Sequence, residues 1–246
     1  EIVQEVELDY KPRSVFLDFH ERQQRWAVIV AHRRCGKTVS CINDIIFRAL
    51  MENKENAQYA YIAPYYSQAK NIAWDYLQRF SRPVMVKANQ SELTVELING
   101  AKIKLFGADN PDTLRGLYLD GVVLDEYADM KPSIWGATIR PLLADRQGWA
   151  VFIGTPKGHN NFWEVYNQAT KDPSWYVKTL RASQTGLLAQ DELDDAAKIM
   201  TQDQYLQEFE CDFESAILGA YYGKEMRQLT DLGRITKVDY DPMYRV

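Results

Sequence analysis

The stretch "VIVAHRRCGKTVS", Val28–Ser40, decides the fold. It begins as an apolar strand, passes through a short basic loop and delivers Gly36-Lys37-Thr38 to the start of a helical pattern. That order wraps phosphate, because successive backbone N–H groups and the N-terminus of the helix face the anion. Lys37 is then placed to reach the β- and γ-phosphates of a nucleotide, and the Thr38 hydroxyl to hold Mg²⁺. The usual G-x-x-x-x-G-K-[ST] pattern opens on glycine, whereas Ala31 stands there, and Arg33 and Arg34 lie inside the loop. By itself the heptamer also reads as a basic turn after a core strand, so the rest of the chain has to decide.

Moving outward, apolar runs alternate with helical stretches. The runs are Trp26–Ala31, Gln58–Pro64, Gly121–Glu126, Trp149–Pro156 and Trp175–Ala182. Their near-continuous hydrophobicity suits strands covered on both faces, which predicts an α/β protein with a mostly parallel central sheet flanked by helices. Helices are expected over Lys37–Glu52, Ser67–Phe80, Ser133–Ala144 and Asn160–Thr170. Between Val84 and Phe106 the pattern reads as strands joined by turns, with Asn99-Gly100 as a hairpin signal. From Gln190 to Phe213 the chain becomes acidic and amphipathic, which suits helices outside the sheet.

The totals bound the function. The 246 residues are 46% hydrophobic and 12% aromatic, enough for a substantial core. No apolar run approaches the roughly eighteen residues of a membrane span, and the first residues lack the pattern of a signal peptide. A net charge of −5 excludes a surface coated in positive charge but leaves room for a local contact with nucleic acid. The three cysteines, Cys35, Cys41 and Cys211, have neither metal nor disulfide spacing and read as packed thiols of a reducing compartment.

A second motif strengthens the first. In "GVVLDEY" a strand carries Asp125 and Glu126 to its C-terminal end, where open α/β sheets bind ligands. In a P-loop enzyme the first acid supports the metal and the second activates the attacking water. A third strand ends in Gly154-Thr155-Pro156, and a threonine at that edge can sense the γ-phosphate. A nucleotide-binding regulatory protein would not need Glu126, and a small-molecule kinase would carry an acceptor lid in place of the "LRG" and "GTPKG" features.

Together "HRRCGKT", "TLRGLYLDGVVLDEYAD" and "VFIGTPKGHNNFWEVY" resemble the ATPase domain of large terminases, the motors that package DNA into tailed-phage heads. The resemblance runs from about Arg13 to Gly223 and accounts for Ala31 and the loop arginine. It implies a P-loop NTPase of the additional-strand, catalytic-glutamate type, with ATP and Mg²⁺ as cofactors. Arg33 would contact the γ-phosphate or switch position with nucleotide state. Arg34, Cys35, Gly36, Lys37, Thr38 and Thr155 would surround the phosphates; Thr38 and Asp125 would hold the metal and Glu126 would be the catalytic carboxylate. Arg34 reads equally well as the partner of a nearby acid. Gly154 departs from the run of threonines found in some relatives.

A ring motor needs an arginine from its neighbour, since charge builds on the transferring phosphoryl group. Arg140 resembles that finger, with Arg146 and Arg115 as further candidates. Phe16 or Phe19, with Arg13, His20 or Arg22, would meet the adenine. Lys87, Lys102 and Lys104, with Arg79 and Arg82, would touch DNA phosphates irrespective of sequence. The implied organisation is an ATPase core over 1–185, a helical lid over 186–225, and over 226–246 the start of a connection to a C-terminal nuclease that lies beyond this chain. The longer protein would then also be an endonuclease. Asp239 and Asp241 read as a polar turn ahead of it. Implied partners are double-stranded DNA, further copies in a ring on the procapsid, the portal protein and the small terminase subunit, in the cytoplasm of an infected bacterium and with no membrane. Helicases and other translocases share the same core, but normally carry a second such domain.

Overall fold

The computed structural model describes residues 6–52, 54–214, 229 and 232–234. The lid segment past 214 and the connection at 226–246, with Asp239 and Asp241, otherwise lie outside the described residues. Eight strands form one sheet: β1 (Trp26–Ala31), β2 (Gln58–Ala63), β3 (Met85–Asn89), β4 (Thr94–Leu97), β5 (Lys102–Gly107), β6 (Gly121–Asp125), β7 (Trp149–Gly154) and β8 (Trp175–Leu180). Their order is β3-β4-β5-β2-β6-β7-β1-β8. From β5 to β8 every neighbouring pair is parallel, and β3 and β4 add an antiparallel edge. β7 is inserted between the phosphate-loop strand β1 and the acid strand β6.

The helices are α1 (Leu17–Glu21), α2 (Lys37–Met51), α3 (Tyr66–Gln68), α4 (Trp74–Ser81), α5 (Arg140–Leu142), α6 (Asn161–Ala169), α7 (Ala182–Thr185), α8 (Gln190–Ile199) and α9 (Gln202–Phe209). Wide π-type turns, Ala69–Ala73 and Ile134–Ile139, join α3 to α4 and lead into α5.

Side-chain alternation along β1 builds a core on each face of the sheet. Ala27, Ile29 and Ala31 pack with the stripe Cys41, Ile42, Ile45, Ile46 and Ala49 of α2. Val28 and Val30 face the other way, toward Phe152, Phe162 and Tyr127. Because β1 is sandwiched, its C-terminal end is fixed, and the loop that follows starts from a rigid platform.

Asn99-Gly100 makes the expected turn between β4 and β5, with Gly100 at φ +80° and its N–H donating to Leu97 O at 2.8 Å. Asn99 Nδ2 also donates to Ala49 O at the end of α2, 2.8 Å, which fixes the hairpin to the main body.

Candidate active site

β1, β6 and β7 end side by side at one edge of the sheet, and each delivers part of the site. After β1 the loop turns through Arg34 at φ +66° and Gly36 at φ +94° before α2 begins. Gly36 is required there, because a Cβ would be strained at that φ and would sit 3.4 Å from the Arg13 guanidinium. Arg13 clamps the loop from outside, Nη1 donating to Arg34 O at 3.1 Å and to Cys35 O at 2.8 Å. His32 is fully buried; its Nδ1 lies 2.6 Å from Arg33 O within the loop, and its Nε2, 2.9 Å from Thr185 Oγ1, ties the loop to α7. Burial lowers its pKa and favours the neutral ring. Cys35 is buried, and burial pushes its thiol up.

Lys37, from the first turn of α2, meets both other strands. Its Nζ donates to Thr155 Oγ1 at 2.9 Å and lies 3.1 Å from Glu126 Oε1. Burial opposes its charge, but the Glu126, Cys35 and Asp125 side chains outweigh that and raise its pKa. Lys37, Glu126 and Thr155, far apart in sequence, thus form one cluster.

Asp125 is buried and both of its oxygens have donors: the Glu126 N–H reaches Oδ1 at 3.0 Å, and the Tyr61 hydroxyl donates to Oδ2. Burial, then the Glu126 charge, push its carboxyl up to about 6. Tyr61 comes from β2 and also interacts with the Thr38 side chain, so it joins the two groups expected to hold metal. Among the described residues no three or more His, Cys, Asp or Glu side chains gather to hold an ion. One hydroxyl and one carboxylate suit Mg²⁺, which keeps several waters and takes its remaining ligands from phosphates. The left-handed Gly36 turn, Lys37 and this donor pair therefore fit a Mg²⁺–nucleotide.

Arg33 is held by α9. Its N–H donates to Glu208 O at 3.1 Å, Nη2 lies 3.3 Å from Glu208 Oε1, and Nε donates to the other carboxylate oxygen. The Glu208 contact raises its pKa. Arg34 is exposed and makes no ion pair among the described residues; of the two roles read for it, the pairing with an acid has no partner among them.

The adenine expectations are corrected in part. Phe16 and Phe19 are fully buried core residues. Arg22 grips Asp44 through two hydrogen bonds (2.9 and 2.8 Å), and His20 Nδ1 lies 3.2 Å from the same carboxylate. Both serve the middle of α2. A cavity of about 230 Å³ opens instead beside Gly36, between Tyr10, Lys11, Arg13, Val39, Ser40 and Phe80. A larger one, about 280 Å³, lies at the far end of α2 and is lined by His20, Arg22, Phe47, Arg48 and Trp149.

The sequence reading also missed Tyr61, Glu208, Asn160 and Asn161. Only Asn160 carried a signal, since Asn is a preferred residue just before a helix.

A left-handed turn that opens α2 after β1, the extra strand β7 between β1 and β6, and Glu126 directly after Asp125 define the P-loop NTPase fold, in the additional-strand arrangement whose members carry such a glutamate. Residues 28–232 match the family model described as terminase large subunit, T4likevirus-type, N-terminal. The chain belongs to this large-terminase family. It is similar to the large terminase subunit of Thermus phage G20c, 32% identical over 179 residues covering 65% of this chain and 36% of that protein. The chain thus spans about a third of the length of that relative. Among solved structures, the large terminase ATPase domain of Thermus phage P74-26 shares the fold with a TM-score of 0.75, 24% identity, and coverage of 84% of this chain and 95% of that one. The large terminase of a thermophilic bacteriophage in complex with ATP-γ-S aligns with a TM-score of 0.64, 16% identity, and coverage of 77% and 48%.

Proposed function

We propose that this chain is the ATP-hydrolysing motor of a large terminase, driving double-stranded DNA into a viral procapsid. The observation that carries the reading is the meeting of Lys37, Glu126 and Thr155 within 3.1 Å at the edge where Asp125 is presented. The family membership and the ATP-γ-S complex of the thermophilic-phage relative support ATP as the nucleotide.

A triphosphate draws Lys37 from Glu126 onto its β- and γ-oxygens and so frees the carboxylate. Glu126 then accepts a proton from a water as that water's oxygen attacks the γ-phosphorus, and ADP leaves as the bond to the β–γ bridging oxygen breaks. Thr38 and Asp125 would hold Mg²⁺, which would supply charge neutralisation at the phosphates. Arg33, Arg34, Cys35 and Gly36 line the phosphates, with Arg33 leaving Glu208 for the γ-phosphate. The base occupies the cavity beside Tyr10 and Phe80. Thr155 senses the γ-phosphate, and the segment over 186–225 serves as the lid.

Three arginines are candidates for a finger inserted into the neighbouring subunit's site. Arg146 is occupied by Asp120 at 3.0 Å, which argues against it. Arg140 lies over the Trp26 ring, 5.1 Å from its centroid, at the sheet edge opposite the phosphate loop. Arg115 is 79% exposed and, among the described residues, its one ion pair is with exposed Asp112, which suits a donated residue better.

The DNA candidates divide. Lys87, Glu96 and Lys102 stand in one cross-strand row of the β3–β4–β5 wing, with Lys104 beside Thr94 on the same face. Arg79 belongs to α4, packed on the opposite face, and Arg82 to the turn that follows it; Arg79 pairs with Asp9 at 3.7 Å. We assign DNA phosphate contact to the lysine face. Ring assembly, the portal protein and the small terminase are the further partners, in the cytoplasm of the infected host. Among the described residues no helix is long and apolar enough to cross a membrane.

The test is steady-state ATP hydrolysis with Mg²⁺ over a wide range of protein concentration, for the native chain and Glu126→Ala. Turnover that rises faster than linearly and vanishes in the variant supports an assembling motor. Activity indifferent to the substitution removes Glu126 from the chemistry. Mixing Glu126→Ala with Arg115→Ala or Arg140→Ala identifies the finger by which pair regains activity.

A further inference from the structure

Glu126 stands in the left-handed region, φ +47° and ψ +47°. A non-glycine residue stays there only where its surroundings hold it, and such positions cluster at working sites. The surroundings here are two adjacent asparagines from the segment after β7. Asn161 is 7% exposed, and its amide nitrogen donates to Tyr127 O at 3.1 Å and to Met130 O at 3.2 Å. Asn160 Nδ2 donates to Ala128 O at 3.1 Å, while its Oδ1 caps α6 by accepting from Phe162 N. Lys157 adds an ion pair to Asp129 at 2.6 Å.

The turn that aims Glu126 is therefore bound along its length to the segment that begins with Thr155. A Cβ on Gly154 would lie 3.4 Å from Glu126 Cα, so the two backbones also touch. An exposed N-cap would explain Asn160 alone. It does not explain Asn161, whose amide is buried and serves the acid turn, not α6.

We propose that Asn161 is a positioning residue for Glu126. Its amide holds the left-handed turn, so that a displacement of Thr155 by the γ-phosphate moves the carboxylate with it. This rests on the hydrolytic reading of the site.

The experiment compares the native chain with Asn161→Ala by hydrogen exchange of the 126–130 peptide and by kcat and KM for ATP. Exchange of that peptide should rise about tenfold or more while the α6 peptide keeps its protection. The kcat should fall about 10–100-fold, as for a slightly misplaced catalytic group, with KM within about twofold. Asn161→Ser, which keeps one donor in a smaller side chain, should fall between the two on both measures and covers the case in which the alanine variant fails to fold. Unchanged exchange at 126–130, or a kcat loss that merely tracks the folded fraction, overturns the proposal. If the native chain shows no Glu126-dependent hydrolysis the functional reading fails, while the exchange measurement still decides whether Asn161 holds the turn.

Discussion

Lys37 Nζ is ion-paired with Glu126 Oε1 at 3.1 Å, so the cation expected to bind phosphate and the carboxylate expected to activate water neutralise each other. A triphosphate and Glu126 compete for one ammonium group. Glu126→Gln should therefore lower hydrolysis by about 10²–10⁴-fold while binding ATP at least as tightly as the native chain. Fluorescent-nucleotide titration alongside single-turnover hydrolysis checks both. Weaker binding in the variant would mean that the pair has another role.

Arg33 and Glu208 pose the same competition between the loop after β1 and α9. The pair is partly open to solvent, with Arg33 65% exposed, so its worth is modest. Glu208→Gln should tighten triphosphate binding about two- to fivefold, the equivalent of up to about 1 kcal/mol. Diphosphate binding should barely change. An equal effect on ATP and ADP would sink the idea that Arg33 leaves Glu208 for the γ-phosphate.

The Asp125 carboxyl is pushed up to about 6 by burial and by Glu126, against 3.8 for the ordinary group. The folded chain thus holds this proton more tightly than the unfolded chain. Its contribution to stability is complete below the ordinary value and is lost as pH rises through about 6. Denaturant melts without nucleotide or Mg²⁺ should show Asp125→Asn gaining on the native protein by roughly 1–3 kcal/mol between about pH 4 and pH 7. A difference that does not vary with pH would contradict the buried, charge-opposed setting.

Asp44 is the counter-case. Burial alone would raise its pKa, but Arg22, His20 and Arg48 outweigh it and hold the carboxyl below its ordinary value. Its stabilisation is present at neutral pH and is lost as pH falls into the acid range. Removing Arg22 leaves a buried charge short of its two-pronged partner, so Arg22→Ala should cost about 3–5 kcal/mol by urea unfolding. A loss under about 1 kcal/mol would mean that Arg48 and His20 suffice.

Much of this protein was legible in its sequence, because the relevant physics is local. Buried parallel strands need continuous apolar runs, and β1 and β8 begin at Trp26 and Trp175, where those runs begin. Gly36-Lys37-Thr38 and Asp125-Glu126 were readable because helix starts and strand ends put those side chains at the ligand-binding edge. Asn99-Gly100 announced its turn through the same backbone preferences.

Only the tertiary structure decided which groups meet. That Thr155 would accept from Lys37, that Tyr61 would hold Asp125, that Glu208 would take Arg33 and that Asn161 would hold the Glu126 turn all follow from strand order and helix packing. The same packing buried Phe16 and Phe19 and placed Arg22 and His20 on Asp44. An aromatic or an arginine carries no local signal of its partner, because hydrogen bonds and ion pairs between distant segments depend on where the whole sheet brings them. A residue's chemistry and local backbone set what it is able to do; the fold chooses the neighbour that lets it act.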